Sequence, residues 1–337
     1  MENFAAVNLH PLSLGEILDT AIRLYRRNFW LFVGVITLAE IPFLLVQVLF
    51  PLLYTKGAGE DFFSLHWWVI NGANFVLHLI FVDGIGTLAL GYAVSQRYLR
   101  QPTALLDVYR RVGGSLLGLA GVFFVVPGLL MVVTIWGLVP CLGWVSSMGI
   151  YIFLNMAVLP FVPLVLVIER QNSLNAVLRA WDLARRRFFW LIFFNIMLAI
   201  FSWILVAGPS LVAAGLATAL LDKTIVGSAE TWYPLIWSVA GTLFNMLFLP
   251  IEVGAWTLTY YDVRVRSEAF DLALLVTDAP EDTNQLVRLP PLEKWFSWGD
   301  VVRLVSISFG MIAIIVAFYI LEFAVIGFLF LLGGLAT

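Results

Sequence analysis

The chain has 337 residues, of which 61% are hydrophobic and only 12% charged, with a formal net charge of -3 and a mean hydropathy of +0.96. That leaves too little polar surface to cover a water-soluble globule. Apolar runs at or beyond the ~20 residues needed to cross a ~30 Å hydrocarbon core recur throughout and predict an all-α, polytopic helical membrane protein; the alternating segments of a β-barrel are absent.

The first element in chain order is amphipathic. Leu14, Ile17, Leu18, Ala21, Ile22 and Tyr25 recur at helical spacing, with Glu16, Asp19, Arg23 and Arg26 opposite, the pattern of a helix lying at a membrane interface. Ser13-x-x-Glu16 has capping-box spacing, with Leu12 and Ile17 placed for a hydrophobic staple, so the helix should begin near Leu14. The first apolar run, Phe29 to Tyr54, carries Glu40 and lacks a small-residue cleavage site, so it reads as a retained span and not a signal peptide. Further spans are expected near Trp67 to Ser95, Gly113 to Val139, Cys141 to Ile168, Phe188 to Ala207, Trp232 to Tyr260, and Val302 to about Phe328, which gives about seven transmembrane helices. The fifth run continues through Gly208-Pro209 to Leu221, which predicts a kink or a short extra helix at Pro209.

Charge placement sets an orientation. Of 19 lysines and arginines, 17 fall in the N-terminal segment, in the loops after the second and fourth spans, and between Asp262 and Arg303; only Lys56 and Lys223 fall on the other side. The positive-inside rule then places the N-terminus in the cytoplasm and, with an odd number of spans, the C-terminus outside the cell (inner) membrane.

The basic segments also repeat. "SLGEILDTAIRLYRRNFWL" from Ser13 aligns without a gap with "SLNAVLRAWDLARRRFFWL" from Ser173, sharing Arg26/Arg186, Arg27/Arg187, Phe29/Phe189 and Trp30/Trp190 among other identities. A weaker copy from Thr103 shares Tyr-Arg-Arg at Tyr109 to Arg111. The chain divides accordingly into a membrane domain over 1–275, built of three repeats of one amphipathic elbow plus two spans (about 10–95, 102–168 and 173–262), a cytoplasmic linker over 276–300 and an additional C-terminal transmembrane helix over 301–337. At the elbows, Arg26, Arg27, Arg110, Arg111, Arg185, Arg186 and Arg187 are placed for topology and anchoring, or for contact with anionic lipid headgroups.

Carboxylates inside the spans are the other candidates. Glu40 lies about 16 Å and Asp83 about 18 Å from the inner ends of their spans at 1.5 Å per residue, and Glu252 follows Pro250 nearer the inner face. Residues of this kind are costly in lipid and are functional candidates by default. Two readings stay open: a carboxyl hydrogen-bonded to a carbonyl near Pro42 or Pro250 or to Asn155, Asn195 or Asn245, and an ion-coupling role in a transporter. No phosphate loop, nucleophile elbow, paired metal-binding histidines or dinucleotide fingerprint occurs, so no enzyme is expected. The single cysteine, Cys141, excludes an intramolecular disulfide, His10, His66 and His78 have no metal-ligand spacing, and neither a cofactor nor a nucleic-acid partner is implied.

"YYDVRVRSEAFDL" (Tyr260 to Leu272), together with "VIERQNSLNAVLRAWDLARRRFFWLI" and "LSLGEILDTAIRLYRRNFW", resembles the bacterial glycerophosphoryl diester phosphodiesterase membrane domain family over roughly residues 10 to 275. The resemblance implies amphipathic elbows feeding pairs of spans and a closing Tyr-Tyr-Asp-x-Arg-x-Arg segment, and no catalytic residues in the membrane part. Where the family often shows Lys-Glu-Gly, this chain has Ser267-Glu268-Ala269. Asp262 with Arg266 and Arg264 with Glu268 are i,i+4 pairs, expected on an exposed helix end. The expected function is a non-catalytic integral membrane protein that organises lipid or a protein partner at the cytoplasmic face; a transporter or channel-like protein using the intramembrane carboxylates is the first alternative, and an accessory to a glycerophosphodiester phosphodiesterase, which the resemblance suggests, is the second.

Overall fold

A computed structural model describes residues 10–53, 72–220, 229–271, 297–314 and 316, and among them every regular element is helical, with no strand. In chain order these are α1 (Leu14–Arg27), α2 (Phe29–Leu53), α3 (Gly72–Tyr98), α4 (Leu105–Gly113), α5 (Leu116–Trp136), α6 (Leu142–Ile168), α7 (Ser173–Arg186), α8 (residues 188–220), α9 (Ala229–Glu268) and α10 (residues 298–314). Six of them, α2, α3, α5, α6, α8 and α9, are long and apolar enough to cross a membrane. Much of the seventh expected run, toward Phe328, lies outside the described residues, as do the start of the second at Trp67 and most of the linker over 276–300.

α1 begins where its capping box predicts. The Glu16 N–H donates to Ser13 Oγ (3.4 Å) and the Ser13 N–H donates to Glu16 Oε2 (2.7 Å), so two donors left open at a helix start are satisfied. The Ser13 N–H holds the Glu16 carboxyl below its ordinary value. Ile17 and Ala21 face the core, and Arg26 and Arg27 are exposed.

Each amphipathic helix breaks briefly before an apolar one begins: α1 at Asn28, α4 at Gly114 and Ser115, and α7 at Arg187. The helices do not follow the gap-free alignment at every position. Ser13 caps α1, whereas Ser173 is already the first residue of α7 and its hydroxyl donates to the Gly118 carbonyl of α5 (2.8 Å).

Prolines reshape two of the long helices. A proline removes one backbone donor, and its ring clashes with the carbonyl four residues earlier. Ahead of Pro209 the winding of α8 loosens into a π segment, Trp203–Ala207, and then resumes as Gly208–Leu220. The expected kink or extra helix at Pro209 is therefore a local change of winding within one continuous helix. In α6 a π segment (Leu154–Val158) precedes a 3-10 turn (Leu159–Phe161) that contains Pro160, and Pro163 follows at the start of the resumed helix. α3 carries a π segment over His78–Gly86 with no proline. There the Thr87 hydroxyl donates to the Gly84 carbonyl (3.2 Å) and to that of Asp83, giving the loosened turn a partner.

The stretch Tyr260 to Val265 departs most from expectation: it is buried, not an exposed helix end, and the surface is reached only at Arg266. Tyr260, Tyr261, Asp262 and Arg264 are each no more than 2% exposed. α1 and α3 pack directly against α9 here, and side chains from α7 and the end of α6 complete the cover. Glu169, at the end of α6, accepts from the Tyr260 hydroxyl (2.7 Å) and from Arg179 Nε (3.2 Å). Arg264 donates to Glu268 (2.9 Å) and to the Tyr260 hydroxyl (3.1 Å), and Arg179 reaches Glu268 at 2.5 Å. Two arginines and two carboxylates thus offset one another within a buried cluster. Burial alone would depress the Arg179 guanidinium, but Glu169 and Glu268 hold it above its ordinary value.

Beside this cluster, Asp262 accepts from the Leu12 N–H (2.8 Å), from Arg266 Nε (2.9 Å) and from Arg187. Arg266 in turn donates to the Leu12 carbonyl (2.9 Å), fastening the segment before α1 to the end of α9.

α10 is held by Asp300, which pairs with buried Arg185 and accepts from the Ser297 N–H and hydroxyl, both at 2.8 Å. Burial pushes the Asp300 carboxyl up, but the Ser297 and Arg185 hydrogen bonds outweigh it and leave the value below the ordinary 3.8. A carboxylate lowered in the folded state adds stability that is present above its unfolded value and lost as pH falls through the folded one. The attachment of α10 should therefore be intact at pH 5 and weaken below about pH 3.8. Asp300→Asn should remove that acid step, as read by thermal unfolding between pH 5 and 3.

Candidate functional site: a carboxylate-bearing cavity among the apolar helices

α3, α5, α6 and α9, with one residue of α8, line a partly open cavity of about 640 Å³, well within the range of small-molecule sites. Its walls are mostly Leu, Val, Phe and Pro. The polar exceptions are Asp83, Thr87, Asn155, Asn195 and Glu252.

The irregular windings explain how polar groups reach so apolar a space. A π turn inserts one extra residue and so re-aims the side chains that follow. Asp83 sits within the π segment of α3 and Asn155 within that of α6, and both line this cavity. Gly84 lets the wall close: a Cβ there would lie 3.0 Å from Phe123 and 3.2 Å from Leu119 of α5. Pro127, Pro160 and Pro163 complete the lining where α5 and α6 face it.

The polar groups differ in how far they are already satisfied. Asp83 is exposed and bonded to His78 Nδ1 (3.1 Å). Asn155 donates its amide to the Tyr151 carbonyl (2.9 Å), which leaves its oxygen for other partners. Glu252 and Asn195 make no side-chain hydrogen bond among the described residues, and Glu252 lies within electrostatic reach of Asp83.

Glu40 is placed elsewhere. It is completely buried between α2 and α9, where Asn245 Nδ2 donates to Oε1 (3.4 Å) and Oε2 has no hydrogen-bond partner among the described residues. Further along the same pair of helices Gln47 bonds to Ser238 and accepts from Thr242 (3.2 Å), so Glu40 belongs to a polar ladder joining two helices. Of the three carboxylates singled out from the sequence, Asp83 and Glu252 share the cavity and Glu40 does not line it.

The elbow arginines divide as well. Arg26, Arg27 and Arg110 are exposed. Arg111 lies over the Tyr92 ring (5.5 Å). Arg185, Arg186 and Arg187 pair with Asp300, Asp182 and Asp262, and Arg187 also stacks on Trp190 at 4.0 Å. Sequence reasoning passed over Glu169 and Arg179, and it took Arg264 for a surface charge. The one local signal was spacing: Trp256, Tyr260, Arg264 and Glu268 recur every fourth residue and share one helix face.

Comparison of the chain with models of protein families, with curated proteins and with solved structures finds no match.

Proposed function

We propose that the chain is a multi-pass membrane protein that catalyses no reaction and holds an amphipathic molecule of the bilayer in the cavity between α3, α5, α6 and α9. One observation carries this reading. Two separately loosened helices aim polar groups into the same apolar space, an arrangement that core packing alone does not require. The three-repeat organisation, the cytoplasmic N-terminus and the resemblance to the phosphodiesterase membrane domain family belong to the same proposal. They give a scaffold whose basic elbows lie at the inner face.

The test is to fill the space. Val122 lines the cavity from α5, and Val122→Trp should abolish retention of a bilayer lipid seen by native mass spectrometry of the purified protein. The thermal midpoint should stay within a few degrees of wild type. A wild-type protein that carries no lipid, or a variant that retains the same one, would overturn the reading.

A second reading, contact with anionic headgroups at the cytoplasmic face, is favoured by the exposure of Arg26, Arg27 and Arg110 near exposed Trp30 and Leu106. Under it, replacing the three arginines with Gln lowers the binding of anionic vesicles and leaves the cavity ligand in place.

A further inference from the structure

We infer that the cavity selects an amphiphile whose head is a cationic nitrogen, an alkylammonium or an aminolipid, seated between Asp83 and Glu252 with its tail along α5. The inference rests on the cavity reading proposed above and adds the chemistry of the head.

The charged groups lining the cavity are of one sign. Asp83 and Glu252 face it, and no Lys, Arg or His lines it among the described residues. Glu252 has no hydrogen-bond partner among the described residues, so a ligand head is what would compensate it in an apolar space, where an uncompensated carboxylate is costly. Asp83 is already held on one side by His78, which fixes its position and leaves the cavity side open. The Asn155 oxygen can accept from a ligand head, and one of its two amide hydrogens is already given to the Tyr151 carbonyl. An ammonium supplies what this set lacks, a positive charge with hydrogen-bond donors.

Trp256 adds a second, independent feature. It lines the cavity one helical turn beyond Glu252 and is fixed by edge contacts with Phe161 (5.5 Å) and Phe194 (5.2 Å). A rigid indole beside carboxylates suits an ammonium, which is drawn to the ring face. The tail then has Leu119, Val122, Val126 and Leu130 beside it, four apolar residues on one face of α5. A sulfate or phosphate head in the same place would meet two carboxylates, with the amide of Asn195 as one of few donors. An uncharged head would leave Asp83 with His78 as its partner and Glu252 uncompensated.

Three probes with one tail separate these cases: hexadecyltrimethylammonium, hexadecanol and hexadecyl sulfate, each bound to the full-length protein in uncharged maltoside micelles. The ammonium is expected to bind at least about tenfold more tightly than the alcohol, a difference of ~1.4 kcal/mol. Asp83→Asn and Glu252→Gln should each reduce that preference to below about threefold and leave the alcohol unchanged. Equal binding of alcohol and ammonium, or preference for the sulfate, overturns the inference. If in that event Val122→Trp still abolishes all binding, the cavity reading survives and only the head class falls; if Val122→Trp binds as wild type does, both fall. Should a carboxylate variant fail to fold, the wild-type series decides by itself. The mass of the molecule that co-purifies distinguishes the sources, a two-chain aminolipid of the bilayer from a single-chain amine.

Discussion

Arg264→Ala should lower stability by about 3–5 kcal/mol, the range for removing one partner of a buried ion pair. Arg264 is completely buried, donates to Glu268 and the Tyr260 hydroxyl, approaches Glu169 at 3.9 Å and lies 4.1 Å over the Phe270 ring. Its loss would leave Glu169 and Glu268 enclosed with Arg179 as the cation they share. Arg264→Lys should recover little, because a single ammonium cannot replace the Nε and Nη1 donors that reach two different acceptors. The comparison is Arg23→Ala, which removes an exposed i,i+4 pair with Asp19 and should change stability by less than ~1 kcal/mol. Thermal midpoints in one detergent settle it: if the two alanine variants melt together, the buried cluster does not hold the fold.

Gly149→Ala should be the next most damaging change, at about 1–3 kcal/mol. α10 crosses α6 at this glycine, and an added Cβ would collide with the Leu304 carbonyl and lie 2.8 Å from Ser308 Oγ. A backbone carbonyl has no rotamer into which to retreat, so α10 must lift. Lifting it also breaks the hydrogen bond from Ser308 to the Val145 carbonyl. Gly128→Ala is the matched control: the same atom added in α5 meets nothing within 4 Å, and helix propensity there favours alanine by roughly 0.5–1 kcal/mol. A Gly149→Ala protein that melts with or above Gly128→Ala would show that α10 does not dock on α6 in this way.

Features set by neighbouring residues were legible in the sequence, and features set by distant ones were not. The start of α1 is fixed by Ser13 and Glu16, three positions apart, and hydropathy runs of ~20 residues are local by nature. Winding was only half legible. Pro160, Pro163 and Pro209 announce that a regular helix is interrupted nearby, but the π segment that presents Asp83 contains no proline, and Gly84 and Gly86 alone do not separate it from an ordinary close-packed helix.

Burial of the ionic cluster was not legible because its cover comes from far away. Glu169 is 91 positions from Tyr260, and Leu12 is 250 from Asp262. Read locally, Asp262 with Arg266 and Arg264 with Glu268 are ordinary surface pairs; both pairs exist, but enclosure changes their role from keeping a helix end wet to holding helices together. The candidate site shows the same division. Asp83 and Glu252 stand out as charges in apolar runs, yet nothing in their spacing says that they share a wall while Glu40 turns toward Asn245.

The long sequence separations within the charged layer also set an order of events as the chain is made. Leu12 is synthesised 250 residues before the carboxylate that accepts its N–H, and Arg185 is synthesised 115 residues before Asp300. During N-to-C synthesis, Arg23 and Arg186 have Asp19 and Asp182 beside them on their own helices from the start, whereas the Leu12 N–H, Arg185 and Arg187 wait for Asp262 and Asp300. Their own partners arrive with the end of α9 and the start of α10. The layer can therefore close only after the end of α9 and the start of α10 have been made, which makes it a late step in completing the fold.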